Sequence, residues 1–444
     1  MRPRPDITAP LSWQFPTPQQ STLSSGIEVW HYRLPGQYVV TARLIIELPL
    51  SVEQPQLEGI SSLTARCLAE GTIDHPGLSF ASAIENLGAQ ATGAAGNSTV
   101  QVTLEAPVTS FGQALPLLAE MTMSPALADD DTDRLKVSRL AEIGQQESHG
   151  PYLASTALRQ CLLGADSRLT RPAGGLSASV AALSGTEVRD FHQRHYGPRD
   201  AILVIAGDLE HDQVEAYAQA SLGSWKSATS AISPAPVRPG PGRRAIIDRP
   251  GAVQADLAFG WFGIDQADRR WAALQVACTI VGGSFTSRIN HRLREELGYT
   301  YGVSLEAMPF RQGGLIYLTA ATRTEVALAA VAEIMDLLAL KQAFTADEVS
   351  QAINYMRRSA PLLFDTAESV AGQAASLAAG RLPIDQVSRY LEELANVSAA
   401  QAMDAFTSLV TPASASIIAV AEAGGLGASE TTAPWLQVPV APLA

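Results

Sequence analysis

Apolar and polar positions along the chain fall into two runs of the same elements in the same order. The first run opens with strand-like alternation over 27–34 and 39–48. Residues 59–70 and 78–87 then place apolar side chains at three- and four-residue spacing, which predicts two amphipathic helices. A hairpin follows, with strands over 90–93 and 98–106 around Gly96-Asn97-Ser98. About three amphipathic helices then lead to the continuous apolar strand 201–206. The second run repeats this with strands 244–248 and 253–262, helices 271–281 and 285–296, and a hairpin over 299–306 and 314–321. More helices follow, and the apolar strand 416–420 closes it. Between the runs, 226–242 reads KSATSAISPAPVRPGPG. Repeated prolines forbid a helix or central strand there, so this segment is expected to be an extended linker between domains 1–225 and 243–444.

Two anchors strengthen the repeat. Leu87 in ENLGAQATG corresponds to Leu297 in EELGYTYG, 210 positions on, and Pro198 of Tyr-Gly-Pro corresponds to Pro412 of Val-Thr-Pro, 214 on. A nearly constant offset indicates a tandem duplication. Strands bunched together and helices bunched together predict an α+β fold of two homologous domains. Each would be a mostly antiparallel sheet with helices packed on one face, not alternating βαβ units.

Composition narrows the classes. The chain has 444 residues, 46% hydrophobic and 17% charged, enough for substantial folded cores. A net charge of −13 without a basic tract argues against nucleic acid or an anionic membrane as partner. The apolar runs are far shorter than the roughly 20 residues of a membrane span. The start, MRPRPD, has no apolar segment behind it of the secretory kind. Cys67, Cys161 and Cys278 are too widely spaced for a disulfide framework or a thiolate zinc site. A cytoplasmic protein is expected.

Two stretches carry a family resemblance. Residues 191–208, FHQRHYGPRDAILVIAGD, and 282–304, GGSFTSRINHRLREELGYTYGVS, resemble the signatures of the pitrilysin/insulinase-type zinc metallopeptidases. The short branch of that family, in which one chain is half of a clamshell, is the nearest form, and the likeness runs over about residues 20–425. Asp200 departs from the family's usual Asn.

The resemblance implies an inverted zinc motif, H-x-x-E-H, on the first helix. Imidazoles at i and i+4 share a helical face and ligate zinc, while the glutamate takes a proton from the bound water. The glycine frame of that motif is present as Gly59 and Gly71-Thr72. Its contents are not: Ser62 and Arg66 stand in the ligand slots and Ala65 in the base slot. The third ligand, a carboxylate on a later helix, would fall near Asp133. A catalytic zinc needs about three protein ligands, and Arg66 puts a permanent cation where the metal belongs. No metal and no cofactor are expected in this chain. His192 and His195, the one close histidine pair, read as helix-end residues.

The resemblance also implies an Arg and a Tyr, six residues between them, that reach over a partner's zinc site and hold the substrate carbonyl and oxyanion. Arg294 and Tyr301 keep that spacing, with Tyr299 a competing assignment. Their first-half counterparts, Ile84 and Ala91, show that the fold does not require the pair. Gly282 and Gly283 read either as a substrate-touching loop or as a helix end. Asn97 and Thr99 open a strand that is a candidate edge for binding an extended peptide. The expectation is a non-catalytic subunit of a heterodimeric zinc peptidase, with zinc in a homologous partner and peptide as substrate. The alternatives are a purely structural subunit of the same fold and a stand-alone peptidase.

Overall fold

The computed structural model describes residues 13–226, 235–426 and the backbone of 436–437. Two six-stranded sheets organise it. The first runs β1-β2-β6-β3-β5-β4, where β1 is Gln19–Thr22, β2 Glu28–Arg33, β3 Val39–Glu47, β4 Gln90–Ala95, β5 Thr99–Pro107 and β6 Ile202–Gly207. The second runs β12-β7-β11-β8-β10-β9, where β7 is Arg244–Asp248, β8 Gln254–Gly263, β9 Thr300–Phe310, β10 Gly313–Arg323, β11 Ser416–Ala421 and β12 Leu436–Gln437. Without the end strands β1 and β12 the two orders are identical. The duplication read from the sequence is a duplication of topology. Pairing is antiparallel throughout except β2 with β6, β7 with β11 and β7 with β12.

Both halves carry more helices than hydrophobic periodicity predicted. Phe111–Met123, Asp129–Glu147, Gly150–Leu162, Ser177–Ala182 and Gly185–His195 precede β6, and an equivalent set from Ala327–Leu338 to Ala399–Thr407 precedes β11. Among the described residues, no helix is long and apolar enough to cross a membrane.

The sheets bury both faces. On β6, Leu203 and Ile205 point into the core of their own half, while Ile202, Val204 and Ala206 point the other way. That second face is covered by Ala367–Gly380, a helix of the opposite half, through Val370, Ala371, Ala374 and Ala378. The exchange is reciprocal. Gly150–Leu162 covers the second sheet, setting Leu158 and Leu162 on Ile418 and Val420. Gly260 on β8 makes the approach possible, because a Cβ there would lie 2.5 Å from the Leu162 side chain.

Ion pairs lock the exchange. Glu47 is almost fully buried and receives Arg311 at 2.8 Å and Arg381 at 3.3 Å from the other half. Arg43 reaches Glu368 at 2.7 Å. Of the expected linker, 227–234 lies outside the described residues, while Gly240 donates its N–H to the Leu162 carbonyl at 2.8 Å.

One buried base on β2 makes stability pH-dependent. His31 is 1% exposed, its Nδ1 3.4 Å from Nδ1 of His211. Burial first, then the charges of His211 and Arg33, push its pKa down to about 4 from 6.5. Below pH 6.5 the unfolded chain takes up a proton that the folded chain refuses until about pH 4, so stability falls as pH falls through that window. The difference corresponds to about 3 kcal/mol. Urea unfolding at a series of pH values should show His31→Leu losing less stability than the parent between pH 7 and 4. Parallel curves would contradict the assignment.

Candidate functional site

The helix that would carry the zinc motif, Ile60–Cys67, is held at its start by a buried ion network. Glu53 accepts the N–H groups of Ser61 at 2.9 Å and Gly59 at 3.3 Å, which suits a carboxylate at a helix N-terminus. Arg168 binds Glu53 at 2.7 Å, and Arg171 binds Glu58 at 2.6 Å. Burial pushes the Glu53 carboxyl up, and the neighbouring Arg168 opposes that shift. Gly59 takes a φ of 99° with Gly174 and Gly175 packed against it, so the glycine frame has a backbone reason. The frame of the motif survives as structure.

Its contents have been replaced. Ser62 is half-buried, and Ala65 is buried with its carbonyl oxygen so near Gly93 of β4 that a Cβ there would lie 2.1 Å away. Arg66 donates through both terminal nitrogens to Glu142, at 2.8 and 2.9 Å. Arg139 adds a bond to the same carboxylate at 3.1 Å and fixes itself to the Gly174 carbonyl at 3.0 Å. Hydrogen bonds from Arg66 first, and from Arg139 beside it, hold the Glu142 carboxyl below the usual range. Arg66 is therefore paired, and its partner corrects the expected register. Asp133 lies on the exposed side of the helix Asp129–Glu147 and binds Lys136 at 2.9 Å, while Glu142 is the carboxylate that meets the first helix.

Zinc does not fit this donor set. One carboxylate is already spanned by a guanidinium, and a serine and an alanine supply neither a second ligand of the family type nor a base. His192 sets its ring on the Thr122 carbonyl at 2.8 Å, and His195 packs against Phe191. Among the described residues, no group of three His, Cys, Asp or Glu side chains converges as a metal site.

The second half places Arg294 and Tyr301 at one end of its sheet. Arg294 stands in a π-helical turn, His291–Glu296, and its guanidinium carbon lies 3.4 Å from the centroid of the Phe285 ring. Nε donates to Glu295 at 2.8 Å and Nη2 to the Phe285 carbonyl at 3.0 Å. Tyr301 is fully exposed on β9, the edge strand, whereas Tyr299 is partly buried against the core. The chain turns at Gly298, φ 61°, between helix and strand.

For two other candidates the structure decides the position. Of the two readings of Gly282 and Gly283, the helix end is the one observed, not a free loop. They end the π-helical segment Thr279–Gly283 and pack on β9, where a Cβ at 282 would lie 2.8 Å from Leu305. Strand β5 is not an edge, because β3 and β4 flank it on both sides. The end strand on this side of the first sheet is β4, Thr99 is buried opposite Glu47, and Asn97 lends its carbonyl to Leu50 N–H at 3.0 Å.

With this geometry in place, comparison with known proteins identifies the class. Residues 32–167 match the family described as insulinase (peptidase family M16), and 182–356 match the peptidase M16 inactive domain. The chain belongs to the insulinase family, peptidase M16. An uncharacterized zinc protease of Streptomyces coelicolor is 24% identical over 358 residues, covering 78% of this chain and 77% of that one. A protein of Helicobacter pylori described as a non-peptidase homolog is 24% identical over 316 residues, covering 70% and 72%. The crystal structure of a peptidase M16 inactive domain from Pseudomonas fluorescens superposes with a TM-score of 0.85 at 22% identity, over 93% of this chain and all of that one. A chain in a structure of complex III2 from Candida albicans superposes with a TM-score of 0.76 at 15% identity, over 92% and 96%.

The position of Glu142 yields a constructive test. The triple change Ser62→His, Ala65→Glu, Arg66→His removes the guanidinium and restores two imidazoles beside that carboxylate. Metal analysis should find about one zinc per chain in the triple variant and essentially none in the parent, as three protein ligands suffice for a catalytic-type site. A parent chain that carries stoichiometric zinc would refute the account of the slots.

Proposed function

We propose that this chain is a non-catalytic subunit of a two-chain zinc peptidase. It pairs with a homologous subunit whose first helix carries an intact H-x-x-E-H, and it contributes Arg294 and Tyr301 to the peptide being cleaved. The observation that carries the reading is Tyr301. A tyrosine side chain 101% exposed on an edge strand serves no packing purpose, and its first-half counterpart is Ala91. Its neighbour in the pattern, Arg294, is held in place by Phe285 and Glu295. The match of 182–356 to an inactive M16 domain and the non-peptidase name of the Helicobacter pylori relative support the non-catalytic part.

The chemistry follows from the two side chains. A guanidinium donates two parallel N–H bonds and suits a carbonyl oxygen in the ground state and after attack. A phenol hydroxyl contributes most once negative charge has developed on that oxygen. Metal chemistry belongs to the partner. This chain's residues bind and orient the peptide and stabilise the oxyanion.

Reconstitution with the zinc-bearing homologue and steady-state kinetics on a fluorogenic peptide test the reading. Tyr301→Phe should lower turnover roughly 10²–10³-fold with little change in KM, the cost of one oxyanion donor. Arg294→Ala should raise KM as well. If Tyr301→Phe stays within about twofold of the parent in an assembled complex, the chain is a scaffold of the same fold.

A further inference from the structure

We propose that Phe285 is the positioning residue for Arg294, and that it leaves the Nη1 edge of the guanidinium as the edge presented to a peptide carbonyl. This rests on the reading above, in which Arg294 acts on that carbonyl. Phe285 is 74% exposed, and the contact its ring makes is with the Arg294 guanidinium. The guanidinium carbon sits over the Phe285 ring, 3.4 Å from the centroid, and the Phe285 backbone carbonyl accepts Nη2 at 3.0 Å. Glu295 takes Nε at 2.8 Å. Ring and two acceptors together fix the plane and the rotation of a side chain that otherwise has many rotamers. Among the described residues, Nη1 meets no acceptor.

The duplication shows that this arrangement is built and not inherited from the fold. Position 294 corresponds to Ile84, which is buried in the first half, and position 285 corresponds to His75. The first-half helix Leu78–Asn86 is α-helical, whereas His291–Glu296 is π-helical. A π turn accommodates one more residue than an α turn. Accordingly the buried place passes from the equivalent of Ile84 to Leu293, which is fully buried, and position 294 is released toward Phe285. Glu295 alone would hold an arginine as a flexible surface pair, worth little. The aromatic face supplies the flat support that sets its direction.

The test uses the reconstituted complex and the isolated chain together. Phe285→Leu keeps the bulk and loses the π face; Phe285→Trp keeps the face. In the complex, Phe285→Leu should lower kcat/KM roughly three- to thirtyfold, and Phe285→Trp should remain within about twofold of the parent. In the isolated chain with 15N-labelled arginine, the Arg294 Nε–H signal should be ring-shifted upfield in the parent and Phe285→Trp. It should return to the ordinary position in Phe285→Leu. If Phe285→Leu stays within about twofold while Arg294→Ala loses about tenfold or more, Arg294 acts without Phe285 and the proposal alone is overturned. An Arg294 signal without a ring shift in the parent also overturns it. If Arg294→Ala is itself silent in an assembled complex, the reading of the site fails and the positioning role fails with it.

Discussion

Every other feature of this protein depends on the fact that neither sheet can bury its second face with helices of its own half. The strands β6 and β11 are apolar on both sides, so a half standing alone would expose Ile202 and Val204, or Ile418 and Val420, to water. Each sheet is closed by a helix lent by the other, Ala367–Gly380 in one direction and Gly150–Leu162 in the other. Burial of several aliphatic side chains on each side, about 1.5–3 kcal/mol apiece, makes the exchange a principal term in the stability of the whole chain. The polar contacts follow it. Glu47 is paired with Arg381, which follows the exchanged helix, and with Arg311 from the β9–β10 turn, which binds the end of that helix, and a buried carboxylate deprived of such partners would be strongly destabilising. The two halves are one folding unit in energetic terms, although the chain contains the same topology twice.

That rigidity explains how a zinc helix can lose its metal and keep its place. In a metal site the cation draws two elements together. Here Arg66 supplies the positive charge and spans the same gap to Glu142, with Arg139 as a second tie. The start of the helix is pinned independently by Glu53 and the arginines around it. A fixed organic cation reproduces the mechanical part of what a metal does between two helices. It cannot polarise a carbonyl as a Lewis acid or lower the pKa of a bound water, so the structural and chemical roles of the site separate cleanly.

The sequence was informative where a local period or a repeated anchor carries the signal. The strands, the hairpins and the duplicated order are legible because a sheet writes a two-residue period and a covered central strand writes a continuous apolar run. Degeneration at Ser62, Ala65 and Arg66 is legible because the glycines framing them persist. The partner of Arg66 was not. Asp133 and Glu142 share one helix, and only the way that helix packs on Ile60–Cys67 decides which of them faces it. Edge status was equally hidden, since β5 and β4 look alike as strands and only the order of the sheet makes β4 the end one. The helix exchange leaves no local mark, because an amphipathic face does not say which sheet it covers. The π-helical winding at 291–296 is likewise invisible to a reading that assumes 3.6 residues per turn.

The two halves have used the same topology for opposite ends. In the first, the space between the leading helix and its later neighbour is closed by an ion pair in which both terminal nitrogens of Arg66 bind Glu142. In the second, the helix that corresponds to Leu78–Asn86 is wound so that Arg294 is braced against Phe285, while Tyr301 on the following strand is fully exposed. A structural ion pair lowers its energy by satisfying every donor. A recognition site keeps some donors unsatisfied until a ligand arrives, and it bears that cost only where the surrounding structure is stiff enough to hold them. The exchanged helices supply such stiffness to both sheets alike. The difference between the two halves here lies in a few side chains and one turn of helix, and under the proposed function substitutions at Phe285, Arg294 and Tyr301 would act on activity without passing through the stability of the fold.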